Sequence, residues 1–571
     1  MRLAREHWIA IALAALPPLL CLDAAVSIDA PVFVRVAEQI AEHPLDPFGF
    51  EMVWDPTSPR VAEFDHNPPL LSYWLAPVVA ALGAREWALH LMLLPFPLCA
   101  ALAFLGIARR LATPASDRVA APGPGAEPAG QGGPPTWLLL CSPVFPLLST
   151  SLLLDVPVLA ATLLAVYALL RANEGRDVAA WQWLSGAAVA AAGLTKYVGF
   201  SAAPLLAAGL VLLPAARPHR AADWLRVLGV PLLSWAAWGA WTDALYGSVH
   251  FLGGLALVGQ KSFAPGDFFN QALSVPVYYG VAAGFPLLVW LASLRRGARG
   301  TELAVAGALA GIAALWFVLP QGTPLRRAPL DLEEGVLGAW GFAGATLVWG
   351  VGLWRALRSP RGEDRFLLLW LGGFLAFSLF VNWHVNAADA LMATPPALLL
   401  LFRYELRPSP RVAAVWAGVL GLAALLLLAS DVRQRNVYRE AAAAIAAEIG
   451  DASGARWSVG QWGFQYYLAR EGFEPIRPPQ YRGRFAMSQP AVGDWVATAR
   501  NVSQLDVAGL LGAYGMRPVR VWRFGSALPF RTTNPDAGGG FYSHQSGFVP
   551  YAWSSAPLEE VGLARITATP R

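Results

Sequence analysis

Apolar stretches of bilayer-spanning length recur along this chain from Trp8 to about Ser430, and polar residues crowd into the short segments between them. About 20 predominantly apolar residues suffice for a helix to cross the hydrocarbon core. The pattern predicts about thirteen transmembrane helices, several of them short for a straight crossing. They lie near 8–26, 86–106, 136–152, 156–172, 182–195, 197–213, 227–245, 273–293, 303–320, 336–354, 366–383, 389–402 and 412–430. The stretch 137–171 is interrupted only by the polar turn around Ser149–Asp155 and reads as a tight helical hairpin. Residues 1–430 are thus expected to form an all-α polytopic membrane domain. After Ser430 the chain becomes polar and Gly/Pro-rich, with strand-like runs at Trp495–Ala499 and Val519–Phe524 and a helical run at Tyr438–Glu448. That change predicts a small α+β extracytoplasmic domain over 431–571.

Two loops are long. In the first, 27–85, Asp29 and Pro31 open a short helix, Pro31 to Ala41, whose residues Val32, Phe33, Val36 and Ile40 form one apolar stripe. Such a helix is expected to lie on the membrane surface with Asp29 as its cap. The second, 112–135, is rich in Gly, Pro and Ala and is expected to be a disordered insert.

Charge then orients the array. Arg109/Arg110, Arg171/Arg176, Arg217/Arg220, Arg295/Arg296, Arg355/Arg358 and Arg403/Arg407 fall in every second loop, and Arg2 and Arg5 place the N-terminus with them. By the positive-inside rule these loops are cytoplasmic. The basic, apolar N-terminus resembles a signal peptide, but an uncleaved first span keeps the alternation consistent. The opposite face carries Asp29, Asp65, His66, Asp155, Lys196, Lys261, His384 and Asp389 near the ends of apolar segments. Ionisable groups are costly at a membrane boundary, so a ring of them marks a candidate site.

Composition agrees: 571 residues, 56% hydrophobic and 14% charged, with mean hydropathy +0.46. The net charge of +4 does not imply a nucleic-acid partner, because the basic residues are spread over short loops and follow topology. The three cysteines, Cys21, Cys99 and Cys141, lie far apart in apolar segments and suggest neither a disulfide framework nor a thiolate metal site. Lysine occurs only at Lys196 and Lys261, both on the outer side, where a compact ammonium could serve a phosphate.

Each candidate has a plain structural reading beside a chemical one. Asp29 suits a helix cap and also a general base. Asp65-His66-Asn67 precedes Pro68-Pro69, which hold it at a helix start where backbone N–H groups favour an anion; an ordinary interfacial turn fits equally. Asp155 could cap a helix, or with His66, His384 and Asp389 hold a divalent metal. Phosphate-cradling loops, a nucleophile elbow and His-Glu-x-x-His are absent from the sequence, which argues against nucleotide-driven transport.

In this order, the acid after the first span, the Pro-Pro-Leu opening of an aromatic helix, the Leu-Asp-x-Pro turn at Asp155 and Gly-Leu-Thr-Lys at Lys196 resemble the GT-C superfamily of integral-membrane glycosyltransferases. The protein O-mannosyltransferases and the lipid A aminoarabinose transferases are the similar families. Gln461-Trp462-Gly463-Phe464-Gln465-Tyr466-Tyr467 and Gly540-Phe541-Tyr542-Ser543 also resemble their extracytoplasmic tails. The resemblance implies a GT-C-like fold and transfer of a sugar from a polyprenyl-phosphate donor to a lipid, glycan or protein hydroxyl, with inversion. It places the protein in a bacterial plasma membrane, with its site on the periplasmic side. Asp29, Asp65 and His66 are then the catalytic candidates; Lys196, Asn67 and Lys261 would contact donor phosphate; Asp155, His66 and His384 would hold a divalent metal ion. Two departures stand out. His66-Asn67 occupies the place of a Glu-Lys pair, and Ala388-Asp389 that of an Arg-Tyr pair. Alternatives are a flippase for lipid-linked sugars and an idle membrane scaffold presenting the 431–571 domain.

Overall fold

The computed structural model describes residues 5–54, 58–113, 132–259, 263–288, 332–382, 384–404, 408–477, 490–502, 512, 514–543 and 546–569. It is mostly helical. Among the described residues four helices are long and apolar enough to cross a membrane: Glu86–Leu111, Asp155–Asn173, Glu334–Arg358 and Pro410–Ile449. Shorter apolar helices such as Leu70–Leu82 and Ala390–Tyr404 pack among them, so the expected count of thirteen spans is not reached by helices of full length. The expected span 303–320 and most of the 112–135 insert lie outside the described residues.

The boundaries differ from expectation where hydropathy and backbone diverge. The first arm of the 137–171 hairpin is two helices, Gly133–Cys141 and Val144–Ser149, parted at Ser142-Pro143, where proline cannot continue the preceding helix. At the other end, the last span does not stop near Ser430. One helix runs from Pro410 to Ile449 and takes in the separate helical run expected at Tyr438–Glu448.

Among the described residues, Arg-rich loops gather at one end. Arg109 pairs with Glu6 at 3.2 Å and Arg110 with Glu174 at 2.6 Å. The fully buried Arg403 bonds Glu363 at 2.6 Å, Asp364, and the carbonyl oxygens of Leu111 and Thr113 at 2.9 and 3.1 Å. Charges taken this far from water persist only when paired and hydrogen-bonded.

The C-terminal part packs at the opposite end, on the other set of loops. Its five-stranded sheet runs Glu474–Pro475, Arg456–Val459, Trp495–Ala499, Glu559–Ala568, Gly515–Phe524, parallel across the first three strands and antiparallel after. The helix Trp462–Arg470 and the residue before it join it to the 27–85 loop: Gln465 donates to the Val53 carbonyl at 2.7 Å, and Gln461 to that of Trp54. The amphipathic helix near residue 30 spans Ala30–Glu42, and its stripe is covered by protein, not left for lipid. Val32, Phe33, Val36 and Ile40 are buried, and Ser72 on the helix Leu70–Leu82 donates to the Phe33 carbonyl at 2.9 Å. An apolar stripe specifies burial without saying against what.

Candidate active site

Asp29 is set up by its local backbone. Residues 24–27 form neither helix nor strand, Ile28 turns with φ +55°, and the helix Ala30–Glu42 starts at once. A β-branched residue in the left-handed region costs about 1–2 kcal/mol and marks a place where the fold holds strain. Asp29 itself has φ −80° and ψ −5°, and its side chain makes no cap bond. The donors such a bond would use are missing or taken: Ala30 N–H reaches the Ser27 carbonyl, Pro31 has no N–H, and Val32 N–H reaches Asp29's own carbonyl. The expected cap is therefore not made, and the carboxylate lines a cavity instead. Asp29 is exposed to that cavity, and protein atoms crowd its other sides. Burial raises its pKa to about 6, with Lys196 opposing the rise and Asp155 adding to it.

Asp65 is buried on the same cavity wall and pushed up to about 7 by burial, against two lowering contacts from Asn67; the charge of Asp29 adds to the rise. Asn67 was expected to meet a substrate phosphate. Its backbone N–H donates to Asp65 Oδ1 at 3.0 Å, and its side-chain amide lies 3.4 Å from the same oxygen. The group that meets the Asn67 N–H donors is thus the Asp65 carboxyl itself. His66 also lines the cavity.

Across the cavity, Lys196 ends the helix Val178–Thr195, and its Nζ lies 2.9 Å from Oδ1 of Asp155, the first residue of the helix Asp155–Asn173. Asp389 lies close enough to add to the field on Lys196. Asn382 donates to Asp389 Oδ2 at 2.7 Å, and Asp389 N–H donates to Asn386 Oδ1 at 2.9 Å. Tyr197, the next residue after Lys196, is fixed by the His250 ring at 2.6 Å and the Trp238 indole N–H at 3.0 Å.

These groups surround one cavity of about 580 Å³. Phe200, Trp235 and Phe251 make an aromatic side, with ring centroids 5.3 and 4.9 Å apart in succession. Tyr542, from the C-terminal part, reaches the wall and donates to Asp431 at 3.2 Å. Among the described residues, four carboxylates and one lysine face this space.

The structure brings together Asp29, Asp65, His66, Asn67, Asp155, Lys196 and His384 on that wall. Lys261 lies outside the described residues. The expected metal set of Asp155, His66 and His384 does not assemble: among the described residues no group of three His, Cys, Asp or Glu side chains converges as a metal site. Asp155 instead faces an ammonium, and the Asn386 amide lies 3.1 Å from His384 Nε2. Sequence reasoning set Asp389 in the ring of outer-face groups without a catalytic role, and gave no role to Tyr197 or Tyr542. Asp389 was visible as an outer-face acid, Tyr197 as the neighbour of Lys196, and Tyr542 within the Gly-Phe-Tyr-Ser run.

Comparison with known proteins bears on the segment that supplies the ion pair. Residues 136–239 match the dolichyl-phosphate-mannose-protein mannosyltransferase family. That segment holds both Asp155 and Lys196, and over it the resemblance to GT-C glycosyltransferases is borne out. No curated protein sequence matches the chain. Solved structures similar to it include ArnT from Cupriavidus metallidurans bound to undecaprenyl phosphate, at 14% identity and TM-score 0.43, covering 90% of this chain and 97% of that one. The Archaeoglobus fulgidus oligosaccharyltransferase in complex with Zn and sulfate is similar at 14% identity and TM-score 0.43, covering 83% of this chain and 62% of that one. For the arabinofuranosyltransferase AftD from Mycobacteria the values are 14% and 0.36, covering 100% of this chain and 40% of that one.

Proposed function

We propose that this chain is a membrane glycosyltransferase that moves a sugar from a polyprenyl-phosphate donor to an acceptor hydroxyl. One observation carries the reading: Asp155 and Lys196, both in the segment matching the mannosyltransferase family, meet at 2.9 Å on the wall of the cavity that receives the uncapped carboxylate of Asp29. The Arg-rich end would face the cytoplasm of a bacterial cell, and the cavity and the C-terminal part its outer side.

The chemistry then follows from the groups present. A phosphate at C1 of the sugar is already a leaving group, so no nucleotide is required. Asp29 takes the proton of the acceptor hydroxyl as its oxygen bonds to C1. The C1–O bond to phosphate breaks, and polyprenyl phosphate departs with the bonding pair. Attack opposite the leaving group inverts the anomeric centre. Lys196, held by Asp155, supplies positive charge for the departing phosphate as a point charge. The aromatic side offers a stacking face for the sugar ring. With four carboxylates near one lysine, the raised value of Asp65 lets it keep a proton near neutrality and lowers repulsion of the donor.

The test is direct. Purified protein is incubated with a panel of polyprenyl-phosphate sugars and acceptor alcohols, and loss of sugar from the lipid is followed. Transfer by wild type and its loss in Asp29→Asn support the reading. Flipping of the lipid-linked sugar across vesicles without cleavage would replace it with transport.

A further inference from the structure

The segment leading to Asp29 has no strand beside it, so side chains satisfy its backbone. The His90 ring donates to the Ala24 carbonyl at 2.9 Å, Ala25 N–H donates to Asn436 Oδ1 at 2.9 Å, and Val26 N–H donates to the Tyr467 hydroxyl oxygen at 2.9 Å. The Tyr467 hydroxyl donates to Glu86 Oε1, again at 2.9 Å, which fixes its oxygen as an acceptor toward Val26. Gly463 lets this contact close, since a Cβ there would sit 2.5 Å from the Val26 carbonyl oxygen and 3.4 Å from Ser27 Oγ. Asn436, Gly463 and Tyr467 all come from the far end of the chain, 411 and 441 residues on in the two hydrogen bonds. Immediately after this tethered stretch stands Ile28 with its positive φ.

A strained conformation persists only where its surroundings over-determine it. Here three side chains and one close approach fix residues 24–27, and the helix from Ala30 is held by its packing on Leu70–Leu82. Ile28 is left to absorb the mismatch, and its left-handed turn aims Asp29 at the cavity. We infer that Asn436 and Tyr467 are positioning residues for Asp29: the C-terminal part of the chain holds the strained turn that presents this carboxylate, and is therefore a working part of the site. Without either anchor, a buried N–H loses its partner, Ile28 relaxes toward negative φ, and Asp29 leaves its station. The kinetic half of this inference rests on the transferase reading above; the structural half does not.

The experiment uses the full-length purified protein and four variants. Tyr467→Phe and Asn436→Leu remove one anchor each; Asn436→Asp keeps an acceptor in place; Tyr466→Phe is a neighbouring control. Amide hydrogen exchange over residues 24–30 should rise about tenfold in the first two variants and stay near wild type in the last two, as expected for loss of one buried hydrogen bond. With an active donor, kcat should fall about tenfold while donor KM stays within about twofold, because donor contacts are untouched. Unchanged exchange over 24–30 overturns the inference whatever the activity. Faster exchange with unchanged kcat overturns it too, since Asp29 would not then depend on the anchors. If wild type turns over no donor in the panel, the transferase reading falls, and the exchange measurement alone decides this one.

Discussion

Lys196 Nζ lies 2.9 Å from Asp155 Oδ1, although 41 residues separate the two in sequence. The pair ties the first residue of the helix Asp155–Asn173 to the residue that ends Val178–Thr195, and both side chains are only partly exposed, at 30% for Lys196 and 15% for Asp155. Asp29 and Asp389 add to the negative field on the same ammonium.

The first prediction concerns this pair. Lys196→Ala should leave Asp155, Asp389 and Asp29 repelling one another, and should cost about 1–3 kcal/mol of stability as a lost charged hydrogen bond. Asp155→Asn should cost less, because it removes one of the repelling charges. A double-mutant cycle followed by thermal unfolding measures their coupling, and additive effects would show that the contact contributes nothing. Donor turnover should fall in Lys196→Ala and stay low in Lys196→Arg, whose planar fork cannot replace a compact ammonium between two helix ends.

The second separates catalyst from cap. With no cap bond made by its carboxylate, Asp29→Ala should lower stability by well under the ~1 kcal/mol typical of a lost N-cap. Turnover should nevertheless fall about 10²–10⁴-fold in both Asp29→Ala and Asp29→Asn, the usual loss for a removed acid–base group. Normal turnover with a destabilised fold would make Asp29 structural and move the base to Asp65 or His66.

How much of this was legible in the sequence depends on what each signal reports. Hydropathy placed the apolar helices but not their ends. The pattern stops at Ser430 while the helix runs on to Ile449, because leaving the bilayer changes the solvent and not the backbone. The acids at Asp29, Asp65 and Asp155 were legible by position, but their roles were not. Asn67 pointed to a substrate anion, and its contact with Asp65, two residues earlier, was not foreseen. The missing cap at Asp29 could have been read from Pro31, which removes the N–H that a cap would use. Nothing in sequence spacing could bring Asn436 or Tyr467 to residues 25 and 26, since those contacts exist only in the assembled fold.

The third prediction is a pH profile. Asp29 must be ionised to accept a proton, so kcat/KM should rise with pH through about 6. The stability sign is opposite. Between the ordinary carboxylate value of about 3.9 and the raised value, the folded state binds more protons than the unfolded chain, so stability falls as pH rises through that window. Asp29→Asn should flatten that part of the stability curve. A rate profile with no acid limb between pH 5 and 7, compared at about those two pH values, would remove Asp29 as the base.

The fourth concerns the other end of the molecule. Arg403 is fully buried among Glu363, Asp364 and two carbonyl oxygens. Arg403→Ala should cost about 3–5 kcal/mol, because it leaves two carboxylates buried without their cation. Folded yield in detergent should drop sharply. Arg403→Ala combined with Glu363→Gln and Asp364→Asn should recover part of it, and no recovery would mean that the packing of the arginine stem outweighs the charge.

The last prediction fixes the orientation on which the site's accessibility depends. Among the described residues, Arg-rich loops gather at one end and the C-terminal part at the other, so the positive-inside rule puts the exposed Ala215 in the cytoplasm and the exposed Ser453 outside. The native cysteines are Cys21, Cys99 and Cys141, and none is fully exposed. After their replacement by alanine, single cysteines at Ser453 and Ala215 can be treated with a membrane-impermeant maleimide in intact cells and again after lysis. Ser453→Cys should label in both conditions and Ala215→Cys only after lysis. The reverse pattern would place the cavity toward the cytoplasm. The donor would then have to be used from the inner leaflet, and the Arg-rich loops would need an explanation other than topology.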